Sequence, residues 1–185
     1  MKVRRTIDIR VKAAQLEVGD VIRFKLCDGE KCEARAALRE DDRMLMVFEE
    51  CLSNLYAMNP KDSTDGGWEG CALRKELNSS IINKFPHKLR EHMIPFEDGD
   101  YLTLLTLGQV FGEDWDDNKT NDQLEMMKNR KNRVASAGQY DYVSWWLRDV
   151  VGSTAFAVVS GIGLANSYSA GDSRGVRPAF LIRLS

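Results

Sequence analysis

Three short runs rich in apolar residues lie within the first fifty residues, at 21–26 (VIRFKL), 34–38 and 44–48. The first run alternates apolar and polar residues, and because side chains on a strand point to opposite faces in turn, it predicts a strand with one buried face. The other two runs predict further strands, separated by a charged turn at 39–43. Residues 27–29 (Cys-Asp-Gly) are a hairpin-turn signal between the first two strands. The pattern therefore predicts a small antiparallel sheet.

Apolar residues then recur at every fourth position: Leu73, Leu77, Ile81 and Phe85. This spacing places them in one stripe of an amphipathic helix. The helix follows a polar loop at 60–67, and Pro86 ends it. Because proline fits the first turn of a helix, we expect residues 87–93 to form a second, short helix.

The middle of the chain contains an apolar run at 101–107 (YLTLLTL), for which a strand or a short buried element fits equally. Residues 113–133 are strongly polar, with acidic residues first and basic residues last. Thr120 and Gln123 fit a capping box, which predicts a helix over 121–131 whose charges suit its dipole. A solvated helix of this kind explains the charge runs without a nucleic-acid surface.

Three apolar runs near the C-terminus predict further strands, at 144–148, 155–160 and 176–184. The segments between them are rich in Gly, Ser and Asn, and they predict turns. Trp145 and Trp146 are consecutive, so they point to opposite faces of one strand and one of them must face the core.

The chain carries 26 Lys and Arg against 28 Asp and Glu, a net charge of −2. This balance gives no electrostatic reason to bind nucleic acid or an anionic membrane. Residues 150–171 carry no charge, but their apolar part is too short to span a bilayer, and residues 1–14 lack the apolar region of a signal peptide. We expect a cytoplasmic protein without membrane insertion. Its length predicts a single domain over 1–185, with 1–15 as an extension or an extra strand.

Candidate metal ligands do not form a recognisable set. The four cysteines, Cys27, Cys32, Cys51 and Cys71, lie in the first 71 residues without a C-x-x-C pair. His87 and His92 are five residues apart, a spacing that does not place them on one helix face. Reduced, partly buried thiols and no metal site are therefore expected.

Five side chains follow the spacing of the calcium ligands in an EF-hand loop: Asp114, Asp116, Asn118, Asp122 and Glu125. Lys119 stands where that loop requires glycine, and its ammonium group would oppose a bound cation. An exposed acidic loop before the predicted helix is the favoured interpretation. We expect no cofactor, with calcium as the alternative. The sequence also contains no G-x-S-x-G, phosphate-binding or dinucleotide-binding motif, so no reaction class is indicated.

Two C-terminal motifs, WWLR at 145–148 and GVRPAF at 175–180, resemble those that close an uncharacterised domain family of bacteria and phages. The earlier half agrees at 18–20 (VGD) and at Trp68-Glu69 with 73–78 (LRKELN). The likeness covers 16–184. This family is similar to the C-type-lectin-like fold of formylglycine-generating enzymes and retroelement variable proteins.

The resemblance implies an α+β, C-type-lectin-like domain, with a mostly antiparallel sheet, two flanking helices, long loops, and paired N- and C-terminal strands. It implies a structural role for the motif residues Trp68, Glu69, Arg74, Arg148 and Arg177, with Arg177 pairing with an acidic residue such as Glu69. Formylglycine-generating enzymes bind copper through two cysteines in the C-terminal half. No cysteine follows Cys71 here, so that chemistry is not implied.

These features predict a non-enzymatic module of bacterial or prophage origin that binds a protein or a glycan through its C-terminal loop region. The expected binding residues are Trp145, Trp146, Asn166, Tyr168, Ser169, Asp172 and Arg174, with one of the tryptophans beneath the surface. One alternative is a divergent enzyme of the same fold, using Arg148, Arg174, Arg177 and Asp172. Another is a structural component of a phage or a cell surface. With a prophage origin, the expected location is phage-associated rather than cytoplasmic.

Overall fold

The computed structural model describes residues 6–8 and 15–184, and it shows an α+β fold of mostly antiparallel sheets with a few short helices. The strands are β1 (Thr6–Asp8), β2 (Val21–Lys25), β3 (Lys31–Glu40), β4 (Arg43–Phe48), β5 (Met93–Ile94), β6 (Ala135–Ala137), β7 (Tyr140–Val143), β8 (Trp145–Val151), β9 (Ala155–Val159), β10 (Ala165–Ser169) and β11 (Ala179–Arg183). The α-helices are α1 (Gly67–Gly70), α2 (Ala72–Glu76), α3 (His87–Arg90), α4 (Leu107–Phe111) and α5 (Glu125–Lys128).

The larger sheet has six strands in the order β1-β2-β3-β4-β11-β5. Strands β2, β3 and β4 confirm the three strands predicted from the sequence, and β3 is longer than expected. Strand β1 adds to the edge in parallel with β2. Apart from Thr6–Asp8 and Gln15, the expected extension at 1–15 lies outside the described residues.

The resemblance implied that N- and C-terminal strands pair. The C-terminal strand β11 pairs with β4, the last of the three predicted N-terminal strands, and not with β1 or β2. Strand β11 lies between β4 and β5, with Leu181 opposite both Leu45 and Ile94. The first four residues of β11 are all apolar and buried, so both faces of this strand are covered. Such a strand needs neighbours and packing on every side, which an interior position in the sheet supplies.

A second sheet of three antiparallel strands has the order β10-β9-β8. Strands β8 and β9 were predicted, but β10 occupies a segment for which a turn was expected. Its Ser and Asn residues have low strand propensity, and pairing with the apolar strand β9 outweighs that preference. The short hairpin β6–β7 also had no sequence prediction.

The predicted helix after residue 73 is confirmed, but its geometry is irregular. Helix α2 continues into a π turn at Leu77–Ile81 and a 3-10 turn at Ile82–Lys84. A stripe with strict spacing of four drifts by about 40° per step on an ideal α-helix, and the wider π turn offsets that drift. All four stripe residues are buried. The second predicted helix ends early, at Arg90, because Met93 belongs to β5.

The predicted helix over 121–131 is wrong. The structure has only α5 and a 3-10 turn at Arg130–Arg133. The capping box forms at Thr106 and Gln109, where it begins the unpredicted helix α4. No helix begins directly after Thr120, and the side-chain amide of Gln123 instead donates to the carbonyl of Val110.

The two sheets share two hydrophobic cores on opposite faces. Helix α2 and the π and 3-10 turns that continue it, residues 72–84, form one long irregular helix. The first core includes Trp146 and packs against the long irregular helix, whereas the second includes Trp145 and packs against α4 and α5. The opposite orientation predicted for the tryptophan pair is confirmed. Within residues 6–8 and 15–184, no helix has the length and apolar character needed to cross a membrane.

Candidate functional site

An open cleft of about 250 Å³ lies beside the end of β10. Its lining residues are Leu55, Val143, Ser144, Tyr168, Ser173 and Arg174. We refer to it as the Tyr168–Arg174 cleft, because these two side chains stack on each other in its wall. The guanidinium carbon of Arg174 lies 3.7 Å from the centroid of the Tyr168 ring.

Tyr168 is held by the second sheet and by the first core. Its backbone pairs with Phe156 of β9, and its half-buried ring packs against the first core. A cation stacked on a tyrosine face is attracted by the ring quadrupole, and the packing behind the ring fixes the face that Arg174 meets.

The backbone of Arg174 is fixed by a two-way bridge with Tyr56. The amide of each residue donates to the carbonyl of the other at 2.9 Å. The indole N–H of Trp146 donates to the same Tyr56 carbonyl at 2.8 Å. Trp146 therefore supports the cleft from beneath without reaching its surface.

The Arg174 side chain is only partly satisfied. One terminal nitrogen donates to the Ser173 carbonyl at 2.9 Å, and the other lies 3.3 Å from the carboxylate of Asp172. Its Nε is buried and has no hydrogen-bond partner among the described residues. Each terminal nitrogen has a second N–H, and the side chain is 28 % exposed, so the head group keeps donors beside the hydroxyl groups of Ser144 and Ser173. This arrangement suits polar acceptors on a ligand.

The turn that carries Asp172 is anchored to the loop before α1. The Asp172 amide donates to the Ser169 carbonyl, the Gly171 amide donates to Asp62 Oδ1, and the Asn59 amide donates to the Ala170 carbonyl. One hydrogen bond within the turn and two to this loop hold the turn in place. The cleft is therefore built on fixed elements rather than on a free loop.

The structure brings together three of the predicted binding residues: Tyr168, Asp172 and Arg174. Asn166 is exposed on the same strand, but its side-chain oxygen accepts the Ser167 amide and does not line the cleft. Ser169 points to the opposite face of β10 from Tyr168. Leu55 and Val143 line the cleft without any sequence signal, since both look like ordinary core positions.

Neither tryptophan of the pair is accessible to a ligand. Trp145 and Trp146 are both completely buried. The indole N–H of Trp145 donates to the Arg133 carbonyl at 2.8 Å, just as that of Trp146 is satisfied at Tyr56. Because both rings are completely buried, neither can contact a ligand directly in this conformation.

The expected pairing of Arg177 with Glu69 does not occur. Arg177 is buried, and its side chain donates to the main-chain carbonyls of Phe48 and Asn132 at 2.6 and 2.8 Å. Its guanidinium lies over the Trp145 ring, and burial lowers its pKa. Backbone carbonyls supply the acceptors because this guanidinium crosses between the sheet and the turn after α5.

Two other motif residues, Arg74 and Trp68, make contacts that stabilise the fold. Arg74 forms ion pairs with Asp100 and Asp98 at 2.5 and 3.5 Å and donates to the Glu69 carbonyl. The ring of Trp68 is buried in the first core. These contacts tie the long irregular helix to the segment before α4.

The three arginines of the enzyme alternative do not converge. Arg177 is buried, Arg174 lines the Tyr168–Arg174 cleft, and Arg148 lines a separate groove of about 370 Å³. That groove also contains Arg43 and Glu97. The predicted constellation of Arg148, Arg174 and Arg177 is therefore not a single site.

The candidate metal ligands do not gather either. Among residues 6–8 and 15–184, no group of three or more His, Cys, Asp or Glu side chains is arranged to hold a metal ion. Glu125 pairs with Lys128, and the Asp114 carboxylate accepts hydrogen bonds from its own loop. All four cysteines are free thiols, and burial raises the pKa of Cys32 and Cys51 to about 12.

The family described as a domain of unknown function (DUF6273) matches residues 100–184. The match includes both C-terminal motifs and, apart from Leu55, the whole lining of the Tyr168–Arg174 cleft. It covers less than half of the chain, and it supports the expected likeness to an uncharacterised domain family. No curated protein and no solved structure matches the chain.

Proposed function

We propose that the chain is a non-enzymatic binding module and that the Tyr168–Arg174 cleft is its recognition surface. One observation carries this proposal. The Arg174 head group is stacked on Tyr168 and its backbone is fixed through Tyr56, yet its terminal N–H groups and the neighbouring hydroxyls keep hydrogen-bonding capacity. A rigid, partly unsatisfied donor set loses little conformational entropy on binding.

The chemistry of the cleft suits a polar ligand with an apolar edge, either a protein segment or a glycan. Arg174, Ser144 and Ser173 offer donors for carbonyl, carboxylate or sugar hydroxyl oxygens. Leu55 and Val143 offer an apolar wall on the same cleft. Its volume is below the usual range for a whole small-molecule ligand, which favours one protruding group of a larger partner.

The fold family and the biological origin of the chain are part of the same proposal. We infer a C-type-lectin-like fold and a bacterial or prophage origin, on the likeness of WWLR and GVRPAF to the uncharacterised family. Presentation of a binding surface by anchored C-terminal loops is consistent with that fold.

The test compares capture of partners by the full chain and by two cleft variants, Tyr168→Ala and Arg174→Gln. Quantitative pull-down from bacterial lysate and a glycan array are the two probes. We expect both variants to lose at least about fivefold in the signal of the same partner or glycan, as residues at an interface centre do. Thermal unfolding of each variant checks that the fold persists.

The matched control is Tyr101→Ala, which truncates an exposed tyrosine outside the cleft lining. Its capture profile should equal that of the parent chain. Equal capture by the parent and both cleft variants would reject the cleft as the recognition surface.

The alternatives have weaker support. A divergent enzyme needs titratable groups gathered in one cleft, whereas Arg148, Arg174 and Arg177 lie apart. A structural role in a phage or at a cell surface predicts assembly of the purified chain into large particles, which light scattering would detect.

A further inference from the structure

A second pocket of about 220 Å³ lies between α4 and the start of β10. Leu107, Phe111 and Ala165 give it an apolar floor, and Trp115 forms one wall. We call it the Trp115 pocket. It shares no lining residue with the Tyr168–Arg174 cleft, so its function can be separated from that of the cleft.

The loop that carries Trp115 is ordered by its own hydrogen bonds. The Asp114 carboxylate accepts the amides of Asp116 and Asn118 at 2.9 Å, and the Asp114 amide donates to the Asn118 carbonyl. Glu113 and Lys119 close the loop through a backbone bridge. The backbone that carries Trp115 is therefore ordered by the loop itself.

Trp115 differs from the other tryptophans in its exposure. Its exposed fraction is 42 %, whereas Trp68, Trp145 and Trp146 are buried. The core does not require this ring, and its apolar surface remains available. A large aromatic ring on the wall of a cavity is a common feature of binding sites.

The charges at the pocket are mostly negative. Glu113, Asp114 and Asp117 all line it. Lys119 offsets one of them, with its ammonium nitrogen 2.8 Å from the Glu113 carboxylate. Hydrogen bonds from Asn118 lower the pKa of Asp114, so this carboxyl group stays ionised well below neutral pH.

A cation–π contact already exists at Phe111, one of the residues that line the pocket. The guanidinium of Arg133 lies 4.7 Å from the centroid of the Phe111 ring. The described cation–π contacts place no cation over the Trp115 ring. An aromatic wall, an apolar floor and excess carboxylates together match a cation carried on an apolar stem.

We propose that the Trp115 pocket binds a guanidinium or alkylammonium group, with the cation at the Trp115 ring and carboxylates and the stem on the apolar floor. The volume suits one basic side chain or a small amine rather than a larger ligand. Both sources present the same chemistry, and the experiment distinguishes them.

The test labels the full chain with 5-fluorotryptophan and follows the four fluorine resonances by NMR during titration. The probes are the peptide Gly-Arg-Gly, agmatine, and Gly-citrulline-Gly as an uncharged isostere of the first. The Trp115 resonance is assigned as the one absent from Trp115→Leu. We expect saturable shifts of this resonance alone with the arginine peptide or agmatine, weakened by about 0.5 M sodium chloride through screening.

The matched variants are Asp117→Asn and Asp116→Asn, which each remove one charge from the same loop. Only Asp117 lines the pocket, and asparagine tolerates its left-handed backbone (φ 61°). We expect roughly threefold weaker binding for Asp117→Asn, the effect of one partly exposed ion pair, and little change for Asp116→Asn.

Tighter binding of the peptide than of agmatine identifies a basic side chain of a protein partner, and the reverse identifies a free amine. No shift at millimolar concentrations, equal binding of the citrulline peptide, or equal weakening by both variants overturns the proposal. None of these outcomes bears on the Tyr168–Arg174 cleft.

Discussion

Asp149 is the side chain at which pH should act on stability in a predictable direction. It is half-buried on β8, and its Oδ2 accepts the first amide of α4, that of Leu107, at 2.8 Å. Burial is the main cause of its raised pKa, and Asp122 adds to the effect, while the Leu107 amide and Arg148 oppose it. The folded chain therefore holds this proton to higher pH than the unfolded chain does.

A raised carboxyl pKa means that the contribution of Asp149 is fully present below the ordinary Asp pKa and is lost as pH rises through the folded pKa. Asp149→Asn keeps an oxygen for the Leu107 amide but removes the titration. We expect its free energy of unfolding to rise relative to the parent across this window. Urea unfolding at a series of pH values measures the difference.

Asp149→Ala supplies the control, since it removes both the titration and the acceptor. It should share the altered pH dependence but be about 1 kcal/mol less stable than Asp149→Asn, the usual contribution of one helix-capping hydrogen bond. If the Asn variant follows the pH profile of the parent chain, Asp149 does not titrate as described.

Individual residues were predictable from the sequence where the local pattern decides their position. The opposite faces of Trp145 and Trp146 follow from strand geometry alone. The partners of Arg177 do not, because they are main-chain carbonyls of Phe48 and Asn132, far along the chain. A buried cation predicts acceptors, but no sequence pattern distinguishes a carbonyl from a carboxylate such as Glu69.

At the scale of elements, β10 is the segment whose structure departs most from its composition. Along an antiparallel pair, residues that are hydrogen-bonded across the strands alternate with residues that are not. At the two ends of the β9–β10 pair, the amide of Ser160 donates to the carbonyl of Leu164 and the amide of Ala170 donates to the carbonyl of Thr154. By that alternation the amide of Asn166 faces β9 and the amide of Ser167 faces the free edge. The Asn166 side chain covers the Ser167 amide, one way of protecting an edge strand.

Proline substitution should therefore distinguish two adjacent positions. Asn166→Pro removes an amide that pairs with β9, and we expect a loss of at least about 2 kcal/mol in the free energy of unfolding. Ser167→Pro removes an edge amide and should cost less than about 1 kcal/mol. Urea unfolding of both variants measures the difference, and equal costs would refute the edge position of β10.

Elements with strong periodicity were predicted well, and elements set by long-range contacts were not. Strand β2 and the stripe from Leu73 to Phe85 are examples of the first kind. The segment 121–131 has helix signals, but Leu124 and Met127 are drawn into the second core, and only one turn of helix remains. Tertiary burial outweighs local propensity there. The Tyr168–Arg174 cleft was likewise half predicted, since composition indicates Tyr168 but nothing local indicates Leu55.

At the scale of the whole molecule, both cores draw on both halves of the chain. In β4, Met46 belongs to the first core and Val47 to the second, and in β11, Phe180 and Leu181 divide in the same way. Strands that serve two cores couple them, so loss of either half removes packing from both.

The family match at 100–184 therefore should not be an independent folding unit, although its length is that of a small domain. Both sheet partners of β11, namely β4 and β5, lie before residue 100. So does Phe48, whose carbonyl accepts a hydrogen bond from Arg177. A fragment of residues 100–184 would leave β11 without its two strand partners, remove part of the packing on each of its faces, and leave a buried cation without one of its acceptors.

We expect this fragment to lack near-ultraviolet circular dichroism and to show narrow dispersion of its amide resonances in NMR spectra. Co-expression with a separate chain of residues 1–99 should restore the dispersion of the intact chain, because the missing neighbours of β11 are then present. A fragment that unfolds cooperatively by itself would instead place a domain boundary near residue 100 and contradict the single domain predicted over 1–185. Restoration by the first segment would place the minimal folding unit across the family boundary, since β4, β5 and β11 form one continuous part of the sheet.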